Sequence, residues 1–208
     1  MNFLAVDTSG NFMSVVAVKE GKVYSSFVAD CAMRHSVLLM PTIEETLKKA
    51  DMRLSDCDFF SAVVGAGSFT GIRIGISAVK GFALATGKPT LPVTSFDVIA
   101  YNALDAGKKL LCLVDALHDS YYACGYEEGK ITLSPAYLTE EQVLALADEG
   151  YTLCGYGELA IAQKREVQQI TPVMGLFNAV EALAKTNVFG ELTALYVRKS
   201  SAEENLKV

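Results

Sequence analysis

Val6-Asp7, Val15-Val16-Ala17-Val18 and Gly21-Lys22-Val23 return 108 positions later, without a gap, as Val114-Asp115, Ala123-Cys124-Gly125-Tyr126 and Gly129-Lys130-Ile131. Repetition on this scale fixes the unit from which a fold is built. Each copy reads as a strand, a turn opened by Asp, a second strand, a glycine turn and a third strand. The first copy predicts strands over Phe3–Asp7, Met13–Lys19 and Lys22–Val28. A helical stretch follows each meander. His35–Ala50 places Leu39, Ile43, Leu47 and Ala50 on one face, and Thr139–Glu149 opens with a Thr-x-x-Gln capping pattern. Next come a strand and a Gly-x-Gly: Phe59–Val64 with Gly65 and Gly67, then Tyr151–Cys154 with Gly155 and Gly157. A helix closes each half, Phe69–Thr86 and about Gly175–Ala184.

Each half is therefore expected to be βββαβα, an α/β pattern. The linker is placed near Ala103–Lys108. Residues 1–103 would form a first lobe and residues 104–208 an abbreviated second one, with Leu192–Arg198 as a late strand or an extended tail. Two such lobes in tandem match the order of elements in actin-like, sugar-kinase-like proteins, which is an analogy of order rather than of chemistry.

Composition narrows the function classes. At 208 residues and 51% hydrophobic, the chain can build a substantial core and is not expected to be disordered. A net charge of −6 argues against nucleic-acid phosphates as the main source of binding energy, though not against a subunit serving an RNA-acting partner. The five cysteines are scattered and form no C-x-x-C, so a zinc ribbon or redox dithiol has no support; they read as small core residues of a cytoplasmic protein. No signal peptide is recognisable, and no apolar run reaches the ~20 residues that span a bilayer.

The chemistry centres on Val63-Val64-Gly65-Ala66-Gly67-Ser68-Phe69-Thr70-Gly71-Ile72-Arg73-Ile74-Gly75. Glycine inside a helix costs about 1 kcal/mol relative to alanine, so glycines kept there imply close backbone approach. The approaching group is either a ligand or another helix. For a ligand, Gly65 and Gly67 would join the hairpin turn Asp7-Thr8-Ser9-Gly10, whose hydroxyls and amides suit a phosphate. The matching turn, Asp115-Ala116-Leu117-His118, has lost both hydroxyls. The alternative is that Asp7 and Asp115 bond their own turns. The glycine loop lacks the Lys of a Walker A motif and misses the dinucleotide fingerprint. For a helix partner, Gly71, Gly75, Ala78 and Ala85 share a face with Phe82, and Gly81 lies beside it; internal packing is the alternative. His35 and His118 have no metal-pair spacing, and Ser68, His35 and Asp7 lack a nucleophile elbow, so hydrolysis is not expected.

Leu4-Ala5-Val6-Asp7-Thr8-Ser9, Arg34-His35-Ser36 with Leu39 and Pro41, the Gly65–Gly75 stretch, and Asp115 followed by Tyr121-Tyr122-Ala123 closely resemble the bacterial TsaB (YeaZ) family. The resemblance covers nearly the whole chain; Ala66 stands where the family usually has Pro. It implies an actin-like (ASKHA) fold and a role in forming threonylcarbamoyladenosine at position 37 of tRNAs. The family's catalytic relative, TsaD, carries an H-x-x-x-H metal pair after the strand that follows its glycine helix. Ser95 and Ile99 occupy those places here, and neither is a useful ligand. The resemblance thus implies a catalytically silent, metal-free paralogue that docks a TsaD-like subunit, works with a TsaE-like ATPase, forms homodimers alone and meets tRNA only through the complex. The implied partner surface is His35, Leu39, Ile43 and Leu47 on the first helix with Gly71, Gly75, Ala78, Phe82 and Ala85 on the second. No cofactor is expected in the isolated chain, with ATP or ADP shared at the partner interface. The runner-up is an ATP-binding or ATP-hydrolysing enzyme using Asp7, Thr8 and Ser9. A glycoprotease-like peptidase, the family's old grouping, ranks last.

Overall fold

The computed structural model describes residues 1–103 and 108–198. Strands β1 (Phe3–Asp7), β2 (Met13–Lys19) and β3 (Lys22–Val28) form an antiparallel meander, as the sequence predicts. Helix α1 (His35–Lys49) leads to β4 (Phe59–Val63), which pairs parallel to β1. Helix α2 (Phe69–Thr86) leads to β5 (Thr90–Val93), parallel to β4, and then to α3 (Ser95–Ala103). The sheet order is β3-β2-β1-β4-β5. β1 is buried along its whole length, as a central strand covered on both faces should be. The edge strand β3 alternates between solvent and partial cover.

The second half repeats the scheme. β6 (Lys109–Asp115), β7 (Ser120–Glu127) and β8 (Lys130–Thr139) form its meander, followed by α4 (Glu140–Asp148), β9 (Tyr151–Gly155), β10 (Val167–Gln169) and α5 (Pro172–Lys185). Its sheet order, β10-β9-β6-β7-β8, matches the first element for element. The Thr139–Gln142 capping box forms as its sequence suggests: Thr139 N donates to Gln142 Oε1 at 2.9 Å, and Gln142 N to Thr139 Oγ1.

One equivalence changes. Beyond the expected βββαβα, the first half carries a further strand and helix, β5 and α3, so its unit is βββαβαβα. In the second half the counterpart of α2 has shrunk to a 3-10 turn at Ala160–Gln163. α5 is therefore the partner of α3, not of α2. The two helices pack together between the sheets, and a Cβ on Gly175 would lie 2.3 Å from the Val98 carbonyl oxygen. Leu91, Phe96 and Ile99 meet Cys112, Tyr126 and Leu176 there in one core that joins both halves. Tyr126 also donates its hydroxyl to Asp97 Oδ1 at 2.9 Å.

Residues 187–198 are an extended strap rather than a strand. Gly190 N donates to Thr90 O at 2.9 Å, Thr90 Oγ1 returns a bond to Gly190 O, and Leu195 N donates to Val64 O at 2.7 Å. The expected linker and lobe division fall largely on residues 104–107, outside the described residues. All five cysteines are buried and free. No described helix is long and apolar enough to cross a membrane. The architecture is the duplicated α/β actin-like (ASKHA) fold with an abbreviated second lobe.

Candidate functional site

The carboxyl ends of β1, β4 and β5 converge on the first hairpin turn and the glycine loop, where open α/β sheets usually bind ligands. Asp7 Oδ1 accepts hydrogen bonds from Ser9 N at 2.8 Å and Ser9 Oγ at 2.7 Å. Asp115 Oδ1 likewise accepts from Leu117 N at 2.9 Å. Both aspartates thus bond their own turns. Thr8 Oγ1 donates to Gly71 O at 2.7 Å, and Ser95 Oγ donates to Ala66 O and Ser9 Oγ. Asp7 is buried, and its Oδ2 makes no hydrogen bond among the described residues. Burial pushes its carboxyl above the usual range, against the bonds from Ser9 and the nearby His35.

The second half closes this crevice with its own side chain. Tyr156 follows β9, and the Phe12 ring meets its ring edge-on at 5.1 Å and 89°. Its hydroxyl is buried without a well-formed hydrogen bond, and burial, then the charge of Asp7, raises its pKa. The hydroxyls that suggested a phosphate cradle are thus engaged inside the chain.

The glycines answer the question of what approaches them, and the answer is neither a ligand nor a second subunit. A Cβ on Gly71 would lie 2.0 Å from Thr8 O, and one on Gly75 2.6 Å from Thr8 Oγ1. Gly67 faces the Ser9 carbonyl and Gly65 that of Leu195. The Gly71/Gly75 stripe packs on the chain's own first hairpin, which corrects its assignment to a partner face. Ile43, Leu47 and Phe82 are also buried in the core beneath the helices, so they too leave the proposed interface, whereas Leu39, though buried, lines the floor of the groove between the helices. His35 is buried with Nε2 3.1 Å from Phe12 O, tying the start of α1 to the hairpin. Of the expected interface set, only Ala78, half-buried, and Ala85, exposed, reach the surface.

A different face of the same two helices is open. A groove of about 470 Å³ runs between them, with Ser36 and Met40 on α1 and Thr70, Ile74, Ser77 and Ala78 on α2. Beyond it Val37 is 70% and Leu84 87% exposed, and Met33 and Met40 are exposed as well. Gly81, on the stripe of Ser77 and Leu84, would give a Cβ with nothing within 4 Å. Exposed apolar side chains on helices that flank an open groove are a feature of interaction surfaces. Among the described residues, Arg73 is the one charged residue lining the groove.

The family model described as TsaD: tRNA N6-adenosine threonylcarbamoyltransferase matches residues 29–204. The chain belongs to that family. Within it, the likeness is to the TsaB (YeaZ) branch of the glycoprotease-like superfamily. The chain is 28% identical to the tRNA threonylcarbamoyladenosine biosynthesis protein TsaB of Escherichia coli over 165 residues, 74% of this chain and 71% of that protein. It is 28% identical to the Bacillus subtilis protein of the same name over 127 residues, 61% of this chain; the match spans only about half of that relative, 56%. YeaZ from Pseudomonas aeruginosa superposes with a TM-score of 0.78 at 26% identity, covering 94% of this chain and 99% of that one. Ser95 and Ile99 sit at the start and in the middle of α3, both fully buried.

Proposed function

We propose that the chain is an accessory, non-catalytic subunit of tRNA threonylcarbamoyladenosine formation that docks a TsaD-type transferase. The observation that carries this reading is the exposed apolar face of α1 and α2 in a member of this family. A hydroxyl and an aliphatic side chain at positions 95 and 99 support the absence of the transferase's own metal chemistry. The crevice filled by Phe12 and Tyr156 supports an isolated chain without nucleotide, with ATP or ADP held where it meets its partner. The same face serves a homodimer when the transferase is absent. A TsaE-type ATPase completes the assembly, tRNA is reached through the complex, and the setting is the cytoplasm. The test is reconstitution of tRNA modification from purified TsaD- and TsaE-type proteins, with and without this chain. Modification that needs the chain is expected; full modification without it overturns the reading.

A further inference from the structure

Among the described residues the docking groove has a single charge, Arg73, and a side chain from the C-terminal strap holds it in place. Arg73 lies in the second turn of α2, close to the positive end of the helix dipole, where a cation adds nothing to helix stability. Its Nε donates to Tyr196 Oη at 2.8 Å. Its guanidinium carbon sits 5.6 Å from the Tyr196 ring centroid and 5.9 Å from that of Phe69. Those two rings stack on each other at 4.4 Å with 6° between their planes. Tyr196 belongs to the strap, which is fixed by Leu195 N to Val64 O and by buried Leu192. A long, flexible side chain is thereby pre-organised at the groove, before any partner arrives. Among the described residues its terminal nitrogens make no hydrogen bond or ion pair.

We propose that Arg73 is the charged anchor of the docking face, pairs with a carboxylate on the partner's helix, and is positioned for that pair by Tyr196 of the C-terminal strap. This rests on the docking reading above and adds the partner's chemistry to it. The planar fork of a guanidinium matches a carboxylate through two parallel hydrogen bonds. A phosphate fits less well. Phosphate sites recruit several backbone amides, and the α2 amide of Gly71 already donates to Ser68 Oγ, with Ile72 N bonded to Ser68 O. The remaining lining is hydroxyl and apolar, so the pair would be shielded from water by Met40 and Ile74 once the groove is covered. Tyr196 acts as a positioning residue, since its hydroxyl accepts the hydrogen bond from Arg73 Nε.

The experiment titrates a fluorescently labelled TsaD-type transferase with the full chain and its variants at several NaCl concentrations. Thermal melts check that each variant is folded. Arg73→Ala should weaken binding by about 10–100-fold and flatten the salt dependence, because salt screens the exposed guanidinium and carboxylate before they pair. Arg73→Lys should fall between, because it keeps the charge and loses the fork. Tyr196→Phe should weaken binding by about 3–10-fold, and the Arg73→Ala/Tyr196→Phe double variant should bind no worse than Arg73→Ala alone. Unchanged binding by Arg73→Ala, while Gly81→Leu abolishes it, overturns the anchor and leaves the docking face standing. Unchanged binding by both overturns the docking reading itself. Weaker binding with unaltered salt dependence overturns the carboxylate pair, and additive losses in the double variant overturn the positioning by Tyr196.

Discussion

Two glycines ten residues apart on α2 should respond with opposite sign to the same methyl group. Gly81 is exposed, and an added Cβ meets nothing within 4 Å. Gly81→Ala should therefore realise the intrinsic helix preference, a gain of about 0.5–1 kcal/mol. Gly71→Ala places its Cβ 2.0 Å from the Thr8 carbonyl oxygen, more than 1 Å inside normal contact. The hairpin must move off the helix, which strains the Thr8 Oγ1 to Gly71 O bond. Overpacking of about 1–3 kcal/mol and the loss of a buried hydrogen bond, about 1–3 kcal/mol, outweigh the helix gain and leave a net cost of about 2–4 kcal/mol. In a chain of this size each kcal/mol moves Tm by about 2–4 °C. Urea denaturation read by circular dichroism, with thermal melts, should show Gly81→Ala slightly above wild type and Gly71→Ala well below it. A Gly71→Ala variant as stable as wild type would refute the view that this stripe packs on the chain's own hairpin. It would return the stripe to an outside partner.

Other variants probe the crevice and the strap. Asp7→Asn should gain stability relative to wild type as pH rises from 4 to 7, measured by urea midpoints. The unfolded chain releases the Asp7 proton first while the folded protein retains it, so wild-type folding weakens until the raised folded pKa is passed; a pH-independent difference would contradict the burial of an ionisable carboxyl. Tyr156→Phe should be neutral or more stable by up to about 1 kcal/mol, because its buried hydroxyl lacks a good partner; a clear loss in thermal melts would reveal a bond that the hydroxyl makes. Leu192→Ala should cost about 2–5 kcal/mol in the same melts, because the strap side chain is fully buried in the core.

Strand alternation and glycine turns located the first meander residue for residue, and the Thr139–Gln142 box located α4. The same capping signal marks the start of α3 and went unused. Thr94 N and Oγ1 both donate to Asp97 Oδ2, and Asp97 N donates to Thr94 Oγ1. β5 escaped because it is four residues long and contains Pro92. Missing this pair also hid which helices correspond between the halves. At the candidate site, periodicity told which residues share a helix face but not what that face meets. A regular apolar stripe is by default the core-facing one, and Leu39, Ile43 and Leu47 follow that rule. The proposed docking face is the irregular remainder, Met33, Val37, Met40 and Leu84, which only burial separates from the core stripe. Tyr156 and Tyr196 reach the first half from more than 100 residues away, a distance over which one sequence carries no local signal.

The central claim is that the chain acts through the open face of α1 and α2. Its most direct test is the affinity of Gly81→Leu for the TsaD-type transferase, measured by titration calorimetry. Gly81 is exposed and a Cβ there meets nothing within 4 Å, so the fold should tolerate the larger side chain. The account predicts an unchanged thermal melt with binding lost. Wild-type affinity in a folded Gly81→Leu protein would contradict it.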